Sequence, residues 1–143
     1  MNITKLLTLI LSFQAAVQAV TLQELYDQHM IRRDESAARI TAEKLAKLKE
    51  LGIDPTRRIV ENIEWACTFA QRFAYHIAKG NDKEAQDIEN KLAKLKELGI
   101  DPETEIEEKL DDTCHLPDQY VFHIDKGNDK EAQDIENKLA KLK

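Results

Sequence analysis

Histidine and cysteine are the residues of this 143-residue chain whose spacing could support metal chemistry or a disulfide. Three histidines recur at intervals of 47 residues, at His29, His76 and His123. Each lies near the predicted end of a helix, where an imidazole interacts favourably with the helix dipole. Repetition of such a helix-end residue explains the spacing more simply than a row of metal ligands, so we predict neither a metal site nor a cofactor.

The two cysteines, Cys67 and Cys114, also lie 47 residues apart. Stacked helices have axes roughly 8–10 Å apart, whereas a disulfide needs Cα atoms roughly 4.4–6.8 Å apart. A Cys67–Cys114 disulfide is therefore compatible with stacked repeats but not required by them. The alternative is two buried thiols that pack as small apolar groups. The chain has no Cys-x-x-Cys pair, and Cys114 directly precedes His115, which disfavours a structural zinc site.

Trp65, Phe69, Arg72 and His76 are spaced by four, three and four residues, which would place them on one side of a helix. Trp and Arg are enriched among the residues that dominate binding energy at protein interfaces. We therefore predict that these four residues form a partner-binding face. The alternative is that Trp65 and Phe69 pack on a neighbouring helix.

Catalytic patterns are lacking. The only serines, Ser12 and Ser36, lie outside any nucleophile motif, and the four glycines are isolated rather than grouped into a phosphate loop. We expect no catalytic residue and no enzymatic activity. The net charge of -6 disfavours a nucleic-acid partner, because nucleic-acid binding requires a basic face.

A long repeat organises the chain. The string KLAKLKELGIDP occurs at residues 44–55 and 91–102, and KGNDKEAQDIENKLAKLK occurs at 79–96 and 126–143. The sequence predicts two helices per 47-residue unit. Helix A of the middle unit would run from an N-cap at Asp54 to a stop at Gly80, and helix B from a capping box at Asn81 to a stop at Gly99. A stripe of apolar residues supports helix A: Ile59, Ile63, Ala66, Ala70, Phe73 and Ile77.

The predicted units span about 20–53, 54–100 and 101–143. The first has a short helix A over 21–32, and the third is interrupted by Pro117, which should split its helix A into pieces near 103–113 and 118–126. The expected fold is all-α, with antiparallel helical hairpins in a 47-residue repeat that form a short solenoid or an irregular helical bundle.

Residues 1–19 have the pattern of a secretory signal peptide. Lys5 supplies a positive charge, residues 6–13 are largely apolar, and Val17-Gln18-Ala19 fits a cleavage site, so the mature helical domain would span 20–143. The apolar run is shorter than the roughly 20 residues that a spanning helix needs, which disfavours an uncleaved membrane anchor. The sequence therefore predicts a secreted, extracellular protein.

The Gly-x-Asp-Pro and Gly-Asn-Asp connectors, the capped helices and the Glu/Lys/Ala/Leu surfaces resemble those of computationally designed helical bundles and helical repeat proteins. The resemblance covers roughly 34–99 and 126–143, and it implies a scaffold or a small binder. The signal peptide, the two cysteines, Trp65 and Pro117 depart from that style. The repeat length falls in the roughly 40–47-residue range of HEAT and armadillo repeats, but their internal patterns are not present.

These patterns favour a non-enzymatic module that binds a protein partner. A structural, designed or generated scaffold without a specific partner is the first alternative. The second is an amphipathic membrane-active protein, because KLAKLK resembles cationic membrane-active peptides. Its lysines, however, follow acidic residues within the same helix, an order that complements the helix dipole of a folded protein. A membrane partner is therefore less favoured.

Overall fold

A computed structural model describes residues 21–142 of the chain. The predicted signal peptide and its cleavage site lie outside these residues. The described part contains six α-helices and one short 3-10 helix. The α-helices are α1 (Leu22–Ile31), α2 (Glu35–Glu50), α3 (Phe69–Lys79), α4 (Asp82–Glu97), α5 (Leu116–Lys126) and α6 (Asp129–Lys141), and the 3-10 helix is Ile63–Trp65.

The helices pair into three antiparallel hairpins: hairpin 1 (α1 and α2), hairpin 2 (α3 and α4) and hairpin 3 (α5 and α6). The hairpins begin at Leu22, Phe69 and Leu116, so they repeat at the 47-residue interval. Residues 21–142 contain no β-strand, and a single antiparallel bridge joins Thr68 to Glu105. The predicted all-α fold of antiparallel hairpins is confirmed.

Side-chain caps and glycines set several helix ends. The side chains of Thr21, Asp34 and Thr68 each accept a hydrogen bond from the backbone N–H three residues further on, which satisfies a donor that the first helical turn leaves free. Gly80 follows α3 with a φ of 77°, in the left-handed region that glycine adopts without strain. The predicted stop at Gly80 is therefore confirmed.

The predicted capping box at Asn81 is wrong. Asn81 occupies the N-cap position of α4, but its side chain makes no capping hydrogen bond. Its Nδ2 lies 3.1 Å from Nδ1 of His76, and Asn128 and His123 repeat this contact at 3.1 Å. The amide thus links the end of one helix to the start of the next, and this contact gives two of the three recurring histidines, His76 and His123, a role within the hairpin turn.

The long helix A predicted from Pro55 to Lys79 is also wrong, because residues 55–68 contain no α-helix. Asp54, its predicted N-cap, accepts hydrogen bonds from the N–H and hydroxyl of Thr56 at 2.9 and 2.7 Å. Such a local turn competes with helix formation. The β-branched pair Ile59 and Val60 follows, and these residues lose rotamer freedom in a helix. The helix instead begins after Thr68.

The third unit is not damaged by Pro117, contrary to prediction. Pro117 lies in the first turn of α5, where its missing N–H would have no helical partner in any case. The predicted helix at 103–113 does not form, whereas the piece predicted at 118–126 is part of α5. The short helix predicted over 21–32 is confirmed as α1, but it is not shorter than its counterparts by more than one residue, since α1 has 10 residues and α3 and α5 have 11 each.

Two linkers of irregular structure connect the hairpins: linker 1 (residues 52–68) and linker 2 (residues 99–115). They lie side by side. The N–H of Ile106 donates to the carbonyl of Cys67 at 2.8 Å, and the N–H of Ala70 donates to the carbonyl of Pro102 at 3.2 Å. The linkers therefore have ordered backbone partners although they lack regular structure.

One continuous apolar core runs through all three hairpins and includes the first apolar residue of each linker. Ion pairs at equivalent positions link successive hairpins at its edge: Lys47 contacts Glu89 at 2.7 Å, and Lys94 contacts Glu136 at 3.4 Å. The same ion pair therefore recurs between successive hairpins at the interval of the sequence repeat. The largest buried side chains are Tyr120, Phe69, Phe73, Leu22, Ile53, Leu92, Leu95 and Val121.

Candidate functional site

The candidate site is the turn of linker 1 that carries Trp65. The side chain of Asn62 accepts a hydrogen bond from the N–H of Glu64 at 3.0 Å and starts the 3-10 helix. The N–H of Trp65 then donates to the carbonyl of Asn62 at 2.9 Å. The side chain of Trp65 is 61% exposed, whereas that of the next residue, Ala66, is buried. The turn therefore presents one large aromatic side chain to solvent.

Several hydrogen bonds fix the end of this turn to hairpin 2. The N–H of Cys67 donates to Oε1 of Gln71 at 2.7 Å. The hydroxyl of Thr68 accepts from the N–H of Gln71 and donates to Oε1 of Glu103 in linker 2, both at 3.0 Å. Thr68 itself is buried, so its two hydrogen bonds are partly shielded from water, whereas the bond from Cys67 is exposed. The backbone around Trp65 is thus held by α3 and by the second linker.

The predicted partner-binding face is brought together only in part: Phe69, Arg72 and His76 line one groove of about 440 Å³ between α3 and α4, but Trp65 does not line it. Trp65 belongs to linker 1 and is exposed, but Phe69 is 1% exposed and belongs to the core. Arg72 reaches hairpin 3, where its guanidinium lies 2.6 Å from the carboxylate of Asp125. His76 contacts Asn81 in the hairpin turn. Of the four predicted residues, Trp65 alone is largely exposed, since α3 begins after it and directs Phe69 inward.

A groove of about 480 Å³ lies beside Trp65. Ile59, which the sequence had assigned to the apolar stripe of helix A, and its neighbour Val60 line this groove and are half-buried. The sequence pattern assigned Ile59 to a helix face, but this segment is not helical, so Ile59 and Val60 border a groove instead. The groove is lined by Asp54, Arg57, Arg58, Ile59, Val60, Glu61, Trp65 and Gln71.

The charges around this groove are partly paired. Nε of Arg57 lies 2.6 Å from Oε2 of Glu103, which links linker 1 to linker 2. The hydrogen bonds from Thr56 lower the pKa of the Asp54 carboxyl and keep it ionised. Arg58 is exposed and forms no ion pair with any residue that the structure describes. The groove therefore combines an exposed indole with a cation that is free to bind an acceptor.

The two cysteines are free thiols, so the disulfide proposed as one alternative is not formed in this structure. Each thiol contacts an acceptor in its own linker. Sγ of Cys67 lies 3.5 Å from the carbonyl of Trp65, and Sγ of Cys114 lies 3.6 Å from Oδ1 of Asp111. The buried-thiol alternative does not hold for Cys67, whose side chain is exposed.

Neither a metal site nor a membrane-spanning helix is found in the described part of the chain. Over residues 21–142, no group of three or more His, Cys, Asp or Glu side chains could hold a metal ion. No described helix is long and apolar enough to cross a membrane. Leu92 and Leu95 of the second KLAKLK copy are buried in the core, so this copy does not expose an apolar face.

Comparison of the chain with protein-family models, curated proteins and solved structures finds no match.

Proposed function

We propose that this chain is a secreted, non-enzymatic helical module that binds a protein partner through the Trp65 groove. The observation that carries the proposal is the 61% exposure of Trp65 on a turn with ordered hydrogen bonds. Tryptophan is the residue type most enriched at binding hot spots. The exposed indole and the neighbouring apolar side chains of Ile59 and Val60 form a surface whose removal from water by a partner would lower the free energy of the complex.

The anchoring of the turn supports a binding role. Ordering a flexible loop on binding costs conformational entropy and weakens the complex. Linker 1 is already fixed by the hydrogen bonds of Cys67 and Thr68 and by the Arg57–Glu103 ion pair. Arg58 at the rim can donate hydrogen bonds to a carboxylate or a carbonyl of the partner, which would add specificity to the apolar contact.

The positions at which the repeats differ in sequence also favour a binding role for the linkers. Residues 82–96 and 129–143 are identical, whereas linkers 1 and 2 differ at most positions after their shared Gly-Ile-Asp-Pro start. A constant helical frame with varied linkers is the arrangement expected of a binding scaffold. The same pattern is compatible with the alternative, a designed or generated scaffold that has no specific partner.

The experiment is a pull-down from extracellular fluid with wild type, Trp65→Ala and Ile40→Ala. Ile40 is the matched control, because it is a similarly exposed apolar side chain at 52% and lies on α2 rather than in linker 1. We expect wild type and Ile40→Ala to retain the same partner, and Trp65→Ala to bind it at least about tenfold more weakly. Circular dichroism checks that all three proteins are folded.

The single tryptophan provides a direct readout on the purified partner. If the indole is buried on binding, its fluorescence emission shifts to shorter wavelength as the partner is added. A partner retained equally by wild type and Trp65→Ala, with no emission shift, would mean that the groove is not the binding surface. Absence of any retained protein would favour the scaffold alternative.

A further inference from the structure

The two end faces of the hairpin stack carry apolar side chains at positions where the inner hairpins contact one another. In helical repeat proteins, the outer faces of the terminal repeats are normally polar, because these faces have no neighbour. Among the described residues, five large apolar side chains are more than half exposed, and three of them lie at the two ends: Met30, Ile31 and Leu142.

The first end is the head face, defined by Met30 and Ile31 of hairpin 1. Their counterparts in hairpin 3 are Ile124, which lines the groove against α4, and Asp125, which binds Arg72 of α3. Asp125 therefore contacts the preceding hairpin, and Ile124 borders the groove between the two hairpins. In hairpin 1 no described hairpin precedes, and Met30 and Ile31 are 53% and 81% exposed.

The second end is the tail face, defined by Leu139, Lys141 and Leu142 of hairpin 3. Lys141 is the counterpart of Lys47 and Lys94, which bind glutamates of the following hairpin. Leu142 is 74% exposed, and its counterparts Leu48 and Leu95 are 2% and 1% exposed within the common core. No described residue covers the tail face.

We propose that the tail face of one copy of this chain docks on the head face of a second copy, in the register that joins successive hairpins within the chain. Within the molecule, the equivalent surfaces contact each other at two places, between hairpins 1 and 2 and between hairpins 2 and 3. Because head and tail are different surfaces, the contact is heterologous and can continue from copy to copy into linear assemblies.

One difference tests the register. Ala42 stands at the position of Glu89 and Glu136, so Lys141 would meet no glutamate on the head face. The ion pairs within the chain are partly exposed and so contribute little, and the apolar side chains Met30 and Ile31 must carry the head contact. Ala42→Glu restores the missing partner, and it should tighten association by up to about fivefold at low salt.

The experiment measures the mass of the purified chain in solution over a concentration series. Wild type should associate increasingly as concentration rises. Ile31→Asp should weaken association by about ten- to a hundredfold, the range for one Ile-sized side chain that loses its burial. Ile40→Asp is the control, since it also replaces an exposed isoleucine by aspartate but does not alter the head face as defined. Within the chain Asp125 holds the position equivalent to Ile31, and Arg72 pairs with it. Gln119 stands at the position of Arg72 in hairpin 3, so the aspartate of Ile31→Asp would meet no cation in the docked copy.

A mixing experiment distinguishes head-to-tail docking from a symmetric contact. Ile31→Asp blocks the head, and Leu142→Asp blocks the tail, so each variant alone should remain monomeric. Mixed together, the free tail of the first variant and the free head of the second should form a dimer that cannot extend further. Both positions are mostly exposed, so circular dichroism should show unchanged folds.

The proposal is overturned if wild type remains monomeric at every concentration, or if the mixed variants fail to dimerise. It is equally overturned if Ile40→Asp weakens association as much as Ile31→Asp does. Association that Ala42→Glu fails to strengthen at low salt would contradict the proposed register.

Discussion

Trp65 and Phe69 are four residues apart, and replacing each by alanine should have opposite consequences for stability and binding. Phe69 is 1% exposed and packs within the common core. Truncation of a buried phenylalanine to alanine typically costs about 3–5 kcal/mol, through lost burial and the cavity left behind. Domains of this size are stable by about 5–15 kcal/mol in total, so Phe69→Ala should lose a large part of the free energy of unfolding.

Trp65→Ala should change the free energy of unfolding by no more than about 0.5 kcal/mol, because the indole is mainly in solvent. Phe69→Leu is the graded control, since leucine occupies the equivalent positions at Leu22 and Leu116. A hydrophobic replacement that keeps most of the volume should cost less than about 1.5 kcal/mol. The expected order of destabilisation is therefore Phe69→Ala, then Phe69→Leu, then Trp65→Ala.

The assay is urea unfolding monitored by far-ultraviolet circular dichroism, a signal that does not depend on the tryptophan that one variant removes. Protein concentration must be low and equal in all samples, so that association between copies does not add to stability. The reasoning is refuted if Trp65→Ala destabilises the fold as much as Phe69→Ala. That result would mean that both aromatic residues are buried on one continuous helix, which is the alternative to a partner-binding face that the sequence left open.

Three further predictions concern Tyr120, the Arg72–Asp125 pair and Gly80. Burial, together with Glu136 and Glu97, raises the pKa of Tyr120 to about 12, above the value of 10.0 expected in the unfolded chain. The free energy of unfolding should therefore fall as pH rises from about 10 through 12. Tyr120→Phe should reduce that loss, and urea midpoints at pH 9 and pH 11 would contradict this if both proteins weaken equally. A double-mutant cycle on Arg72→Ala and Asp125→Ala should give a coupling of about 0.2–1 kcal/mol that declines with salt, because the pair is partly exposed; zero coupling at low salt would argue against the contact. Gly80→Ala should destabilise by about 1–2 kcal/mol through its left-handed backbone alone, since an added Cβ meets no atom within 4 Å, and an unchanged melting temperature would be inconsistent with that conformation.

The hairpin repeat and several helix ends could be predicted because they depend on local sequence. Helix B, with its Gly-Ile-Asp-Pro stop, recurs almost unchanged, and its apolar spacing fits one helical face. Gly80 ends α3 through a backbone preference that needs no tertiary information. Because the repeated strings are long and nearly identical, each copy is expected to adopt the same structure. The hairpin architecture could therefore be predicted from the repeat.

The start of helix A could not be read from apolar spacing. Ile59, Ile63 and Ala66 follow helical intervals. Linker 1 is nevertheless irregular, because it contacts linker 2, for example through the hydrogen bond from the N–H of Ile106 to the carbonyl of Cys67. Those contacts join residues distant in sequence and leave no local pattern. One signal was present: Thr21 caps α1, and Thr68 lies 47 residues later. Alignment of these two threonines would have placed the start of α3 correctly.

The exposure of Trp65 follows from the cap at Thr68 rather than from the indole itself. If the helix continued through residues 65–69, Trp65 and Phe69 would share one face and be buried together. The Thr68 hydroxyl both starts α3 and donates to Glu103, and Arg57 binds the same carboxylate. Glu103 of linker 2 therefore helps to hold the conformation of linker 1. A change in linker 2 at this residue should alter the proposed binding surface, although Glu103 does not line the Trp65 groove.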